Sequence, residues 1–230
     1  MPLTPVEIEA LLLSLRIAFV AVVGALPLAL LSALLLARGR FPGKLLVDGL
    51  VHLPLVLPPV VMGYLLLVTL GTRAPVGAWL LDTFGVRLIF HWTGAAFAAG
   101  VVTFPFQVRA MRLALEGVNP TLPAAARSLG ASRFDAFVTI TLPLILPGII
   151  AGAITAFAAS LGEFGAIITF VSNIPGETQT LPLAIYSAIQ TPGNEAAAAR
   201  LAGLSIALAL AGLVLSEIAG RRAQRLIGGG

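Results

Sequence analysis

The sequence predicts an all-α integral membrane protein with about five transmembrane helices and a helical elbow in its longest basic loop. Three observations carry this. Only 10% of the 230 residues are charged while 58% are hydrophobic, and the mean hydropathy is +1.02; a soluble chain of this length is about 25% charged. The apolar residues gather into runs close to the roughly 20 residues that cross hydrocarbon. Finally, Ala124 to Pro147 read AAARSLGASRFDAFVTITLPLILP, too polar to cross a bilayer and too regular to be a slack loop. The absence of cysteine excludes disulfides and thiolate chemistry. The net charge of +4 comes from scattered basic residues, which read as topology signals rather than a nucleic-acid surface.

The first apolar run is Ile17 to Ala37, after an acidic segment with Glu7 and Glu9. It is longer than the apolar core of a signal peptide and lacks the basic start of one, so a span is the better reading. Pro27 should kink it. The second run extends from near Pro54 to Gly71, with Leu45–Leu53, carrying Asp48 and His52, as an approach segment at the interface. Pro54, Pro58 and Pro59 should break its helical ladder, and irregular backbone at membrane depth is tolerated only against protein or a water-filled path. The third run is about Thr93 to Val108, the fourth about Leu144 to Phe170 with Glu163 interrupting it, and the fifth about Leu201 to Ser216.

Five spans put the termini on opposite sides. Ten of the 14 Lys and Arg residues fall on one side: Arg38, Arg40, Lys44, Arg109, Arg112, Arg127, Arg133, Arg221, Arg222 and Arg225. Arg73, Arg87 and Arg200 fall on the other, and Arg16 starts the first span. The richer side is the cytoplasmic one. The N-terminus is then outside and the C-terminus and elbow are inside, and 1–230 reads as one membrane domain.

Within the elbow, Pro123 suits the first turn of a helix. Ala124, Ala125 and Ala126 favour helix and leave little bulk. Gly130 is placed to end that helix in a left-handed conformation. Ser132 and Asp135 have capping-box spacing for a second helix. Phe134, Phe137 and Ile140 recur on one face of it, and Pro143 should end it. The pattern describes a small rigid projection with apolar anchors that another protein could grip. An amphipathic helix lying on lipid is the plain alternative.

The stretch resembles the cytoplasmic "EAA" loop of binding-protein-dependent ABC import permeases. Ala125, Ala126, Gly130, Ala131, Phe137, Ile140, Leu142 and Pro143 occupy the matching places, with Ala124 where that family has Glu. Phe41-Pro42-Gly43-Lys44, His52-LPLVLPPVVMGY and Gly162-EFGAIITFVSNIPGET narrow the resemblance to the molybdate and tungstate permease group, with sulfate permeases as near relatives. The similarity runs from about Leu13 to Glu217. It implies a type I ABC importer permease fold with a coupling helix pair in a loop at about 117–141. The residues implied to couple to an ATPase are Ala124, Ala125, Ala126, Arg127, Ser128, Leu129, Gly130, Ala131 and Phe134. It also implies a second copy of the chain, two cytoplasmic ATPase subunits that bind the ATP, an extracytoplasmic oxyanion-binding protein, and a bacterial or archaeal plasma membrane. No cofactor, metal, catalytic residue or nucleic acid is expected in the chain itself.

Pro58, Pro59, Gly162, Glu163 and Gly165 are candidates for the pathway or a hinge. A carboxylate at bilayer centre is costly and should face protein or water. The plain reading is a carboxylate bonded to backbone at a helix break. Arg109 and Arg112 could attract an anion, but such residues more often anchor a helix end. Arg16 reads as snorkelling, and Trp92 as an interface anchor. His52 and His91 are isolated and match no zinc spacing. GRFPGK at Gly39–Lys44 fails the phosphate-loop spacing. Gly148, Gly152 and Ala156 recur every four residues, a signal for close helix packing that two chain copies could share. A membrane enzyme would need a nucleophile–base pair, a metal cluster or paired carboxylates, which the spans do not offer. An ion-coupled transporter usually shows internal repeats and several intramembrane charges.

Overall fold

The computed structural model describes residues 3–228, less the side chains at 213, 215–217 and 219–228, so Gly230 and the side chains of Arg221, Arg222 and Arg225 lie outside the described residues. Regular structure among them is entirely helical.

Helix α1, Pro5–Arg38, starts well before the apolar run that announces it. Thr4 accepts from the backbone N–H of Glu7 and Glu7 reaches back to Thr4, a capping box with Pro5 at the first position. The helix continues through Pro27 to Arg38. Helix α2, Lys44–Val56, likewise passes through Pro54 and ends only at Leu57. The expectation that Pro54 breaks the second run is therefore corrected. The break falls at Pro58, and α3, Pro59–Leu70, leaves at 115° to α2. Pro58 enforces this because the residue before a proline is pushed out of the α region, and two successive prolines do so twice.

Helix α4, Pro75–Phe84, and helix α10, Leu181–Gln190, occupy stretches that the hydropathy pattern leaves as loops. Helix α5 is Trp92–Glu116, α6 is Thr121–Ser128 and α7 is Arg133–Ala136. A π-helical segment, Phe137–Thr141, joins α7 to α8, Leu142–Leu161. Helix α9 is Gly165–Val171 and α11 is Glu195–Gly228.

The packing defines two ends. Ile17 and Ala21 of α1 pack with Ala95–Ala99 of α5, whereas Ala29, Ala33 and Leu36 pack with Val108, Met111 and Leu115, so the two helices run parallel. Helix α8 runs against them: Ser160 meets Thr103 while Gly148 faces Ala114. Val47 and Val51 of α2 join the second cluster, and Met62 and Leu66 of α3 the first. Helix α11 starts beside the beginning of α1, where Arg200 binds Glu7 at 2.7 Å. Helices α1 and α11, the continuous helix Arg133–Leu161 and the bent pair α2–α3 are long and apolar enough to cross a membrane, the last as a broken span. Helix α5, of 25 residues and about 37 Å, is as long as a span but is not apolar enough to count with these four. Helices α1 and α8 enclose it, burying Thr103 and Gln107 with its alanines.

This centre is held by close approach rather than by large side chains, as expected where lipid is as apolar as leucine. A Cβ on Gly100 would stand 3.4 Å from the carbonyl of Ala21. The Gly148–Gly152–Ala156 stripe lies in the same interior. A Cβ on Gly152 would meet the Ala110 Cβ at 3.0 Å and the Gln107 Cα at 3.2 Å, and Ala156 is fully buried. The stripe is therefore used within one chain, against α5, and the expectation that it packs two copies together is corrected.

Candidate functional site

The elbow begins where α5 ends at Glu116. Asn119 turns the chain, its Oδ1 accepting from the backbone N–H and the hydroxyl of Thr121 at 3.0 and 2.8 Å. Helix α6 follows, carrying Pro123 in its first turn and then Ala124, Ala125, Ala126, Arg127 and Ser128. It closes at Leu129 and Gly130, with Gly130 at φ +97°. The N–H of Ala131 then reaches back to the carbonyl of Ala126 at 3.1 Å, the wrap-around bond that a left-handed glycine allows. Ser132 and Asp135 form the reciprocal capping box at the start of α7.

Two features of the elbow differ from the sequence expectation. The second helix does not end at Pro143. Arg133–Leu161 is one continuous helix, so α6 alone stands free and α7 is the projecting end of the helix that continues as α8. The π segment makes this possible: the N–H of Leu142 bonds to the Phe137 carbonyl, five residues back, just ahead of Pro143. That extra residue per turn also removes Phe137 from the outer face. Phe134 is 73% exposed and Leu129 is 89% exposed, whereas Phe137 is half-buried. The exposed large apolar side chains at the tip are Leu129 and Phe134. Leu129 sits at the helix stop, where no face periodicity identifies it.

The break between α2 and α3 meets the gap between α8 and α9. Gly165 starts α9 against Pro59, the first residue of α3, and a Cβ on it would lie 2.8 Å from the Pro59 Cβ. Gly63 approaches Ala166 and Thr169 as closely. The sequence points to Pro58–Pro59 and to Gly162–Gly165 separately, and the fold brings them to one crossing. Glu163 lies in the gap between α8 and α9, buried, with its Oε1 accepting from the Ala166 backbone N–H at 2.9 Å. It thereby ties off the first turn of α9. Phe164 packs against Tyr186 of α10 with ring centroids 5.3 Å apart and the planes tilted by 54°. Beyond α9 the backbone turns through Ser172 at φ +68°, an uncommon conformation outside glycine. The Thr178 hydroxyl holds that turn by donating to the Ser172 carbonyl, and Asn173, Gln179 and Ser187 hydrogen-bond to one another beside it.

This geometry predicts the behaviour of Glu163. Glu163→Gln retains an oxygen for the Ala166 N–H and should keep the fold and partial activity. Glu163→Leu orphans that buried donor, which costs about 1–3 kcal/mol, and should lower both membrane yield and activity. Equal, wild-type behaviour of the two variants would remove the hinge role.

The remaining polar candidates are structural ties. Arg112 bonds to Asp48 of α2 at 3.0 Å and to Glu116 at 2.8 Å, and the His52 ring is hydrogen-bonded to the Asp48 carbonyl at 2.9 Å. Arg109 is exposed. Arg16 lies over the Trp92 ring, 3.7 Å from its centroid, so a cation–π contact replaces simple snorkelling. No group of three or more His, Asp or Glu among the described residues could hold a metal ion.

Residues 25–226 match the family described as binding-protein-dependent transport system inner membrane component. The chain is 59% identical to the molybdenum transport system permease protein ModB of Escherichia coli (strain K12), covering 94% of this chain and 95% of that one. It is 34% identical to the sulfate transport system permease protein CysT of the same organism, over 97% of this chain and 80% of that one. In fold it is similar to a chain of a bacterial alginate ABC transporter in complex with an alginate pentasaccharide-bound periplasmic protein, with a TM-score of 0.71 at 22% identity, covering 97% of this chain and 80% of that one.

Proposed function

The chain belongs to the family of binding-protein-dependent transport system inner membrane components, and from that membership we propose that it is the permease subunit of an ABC importer for molybdate. The observation that carries the substrate is the 59% identity, over nearly the whole of both chains, to a molybdenum transport permease. Sulfate is the competing oxyanion, favoured by the 34% relative. Both are tetrahedral dianions, as is tungstate, and selection among them belongs to the extracytoplasmic binding protein. The chain is not itself catalytic. The test is ATP-dependent uptake into vesicles holding this chain with its ATPase and binding protein, offered labelled molybdate, tungstate and sulfate. Uptake of sulfate in preference to the other two would overturn the assignment.

In this reading two copies enclose the path, because one chain of five passes is too small to gate it alone. Two cytoplasmic ATPase subunits grip the two elbows. Free-standing α6, its small alanines and the exposed Leu129 and Phe134 suit close docking in a partner groove. ATP-driven approach of the ATPases pulls the elbows, and each α7 transmits the motion rigidly into α8 because the two are one helix. The breaks at Pro58 and Glu163 are where that motion can be absorbed, since interrupted helices bend at low cost. Transport needs only two arrangements with different affinities for the partners.

Orientation follows from the elbow end, which carries Arg38, Arg40, Lys44, Arg127 and Arg133 and is cytoplasmic by charge. A reporter that is active only in the cytoplasm should be silent when fused at Gly193 and active at Gly230. The reverse pattern would invert every pass.

A further inference from the structure

We propose that a cavity beneath the elbow binds a tetrahedral oxyanion, either free or as a phospholipid headgroup, at a site that shares no residue with the crossing of Pro58–Pro59 and Gly162–Gly165. The cavity, about 790 Å³, opens between the α1–α2 link, the end of α5 and the elbow. Arg38, Arg40, Lys44, Arg127 and Arg133 line it. Glu116 is the acid on its wall, and Arg112 already holds that carboxylate at 2.8 Å. None of the five cations forms an ion pair among the described residues. Like charges gathered around one concavity repel each other and draw in an anion.

The second observation is Thr141, on the same wall. Its side chain is fully buried and its hydroxyl has no hydrogen-bond partner. Helical hydroxyls nearby bond to the carbonyl four residues back, as Thr139 does to Asp135 and Ser128 to Ala124. For Thr141 that carbonyl belongs to Phe137, inside the π segment, and the hydroxyl makes no bond to it. The hydroxyl is therefore a buried donor without a partner, which is destabilising. A dianion accepting from this hydroxyl and from guanidinium groups would satisfy both features at once. The cavity has room for a hydrated oxyanion or a headgroup. Bound there, the anion would bridge α6 to the ends of α1, α2 and α8, linking the elbow to the passes it moves. The inference does not depend on which anion is transported.

The test uses the full chain in nanodiscs of phosphatidylcholine, and of phosphatidylcholine with phosphatidylglycerol, each with and without the ATPase subunit. Equilibrium binding of labelled tungstate and of inorganic phosphate is measured, and retained lipid is identified by mass spectrometry. Saturable oxyanion binding in the zwitterionic discs identifies the free anion. Selective retention of phosphatidylglycerol without it identifies the headgroup. In either case, the double substitution Arg40→Gln with Arg133→Gln should weaken binding by about tenfold or more and Thr141→Val by about threefold, a tenfold change being 1.4 kcal/mol. Thr141→Val is nearly isosteric and keeps the test decisive if the double variant fails to fold. Binding of neither anion, or equal binding in all variants, would overturn the proposal. So would loss of wild-type binding whenever the ATPase is present, which would assign the cavity to acidic side chains of that partner.

Discussion

Leucine in place of Gly148 or Gly152 is expected to abolish the folded membrane form of the protein, not merely its association. A Cβ at Gly148 would overlap the side chain of Ala114, and one at Gly152 would press on Ala110 and Gln107. Overpacking typically costs about 1–3 kcal/mol, with the upper end expected when backbone, rather than a flexible side chain, must move. Here the opposing surface is α5 itself, which is locked on its far side by α1 through Gly100 and Ala21. Relief by moving α5 would open a second crossing. The Gln107 Nε2 would also lose its 3.4 Å bond to the Val22 carbonyl. The measurement is membrane yield with the thermal unfolding midpoint in detergent. A folded, monodisperse Gly152→Leu protein that fails only to dimerise would return the stripe to the surface between two chains.

Substitutions in the elbow should have the opposite signature, with normal membrane yield and uncoupled transport. Gly130→Val places a β-branched residue at φ +97°, where it is strained, and should redirect α7 relative to α6. Ala126→Glu adds bulk and charge to a helix none of whose residues is buried in the chain itself. Phe134, 73% exposed at the tip, is the expected hot spot. Phe134→Ala should weaken ATPase binding by about 2 kcal/mol, roughly thirtyfold. A pull-down of the ATPase subunit beside membrane expression reads all three. Retention of the ATPase by every variant would make the elbow a lipid-facing helix and remove the physical support for coupling.

The contrast between these two predictions follows from how the chain was readable. The elbow is legible residue by residue because it is local: a proline early in the helix, alanines, a glycine stop and a Ser–Asp capping box act within a few residues of each other. The apolar runs, the broken second pass and the interruption at Glu163 are legible for a similar reason, since hydropathy and proline report on the chain's own backbone and solvent.

By itself, then, the sequence determined an all-helical membrane chain, the break at Pro58–Pro59 and the interruption at Glu163, the caps of its elbow and, through motif resemblance, its family. The tertiary structure decided what each feature faces. It turned the glycine stripe inward onto α5, brought Pro59 against Gly165, moved Phe137 off the elbow tip and left Thr141 without a partner. It also placed α5, a long helix that falls short of the apolar standard for a span, at the centre of the packing between α1 and α8. Hydropathy measures what a helix must show to lipid, and a helix enclosed by its neighbours shows little. Which helix is enclosed depends on contacts between residues some 85 positions apart, such as Gln107 with Val22, and no local pattern encodes those.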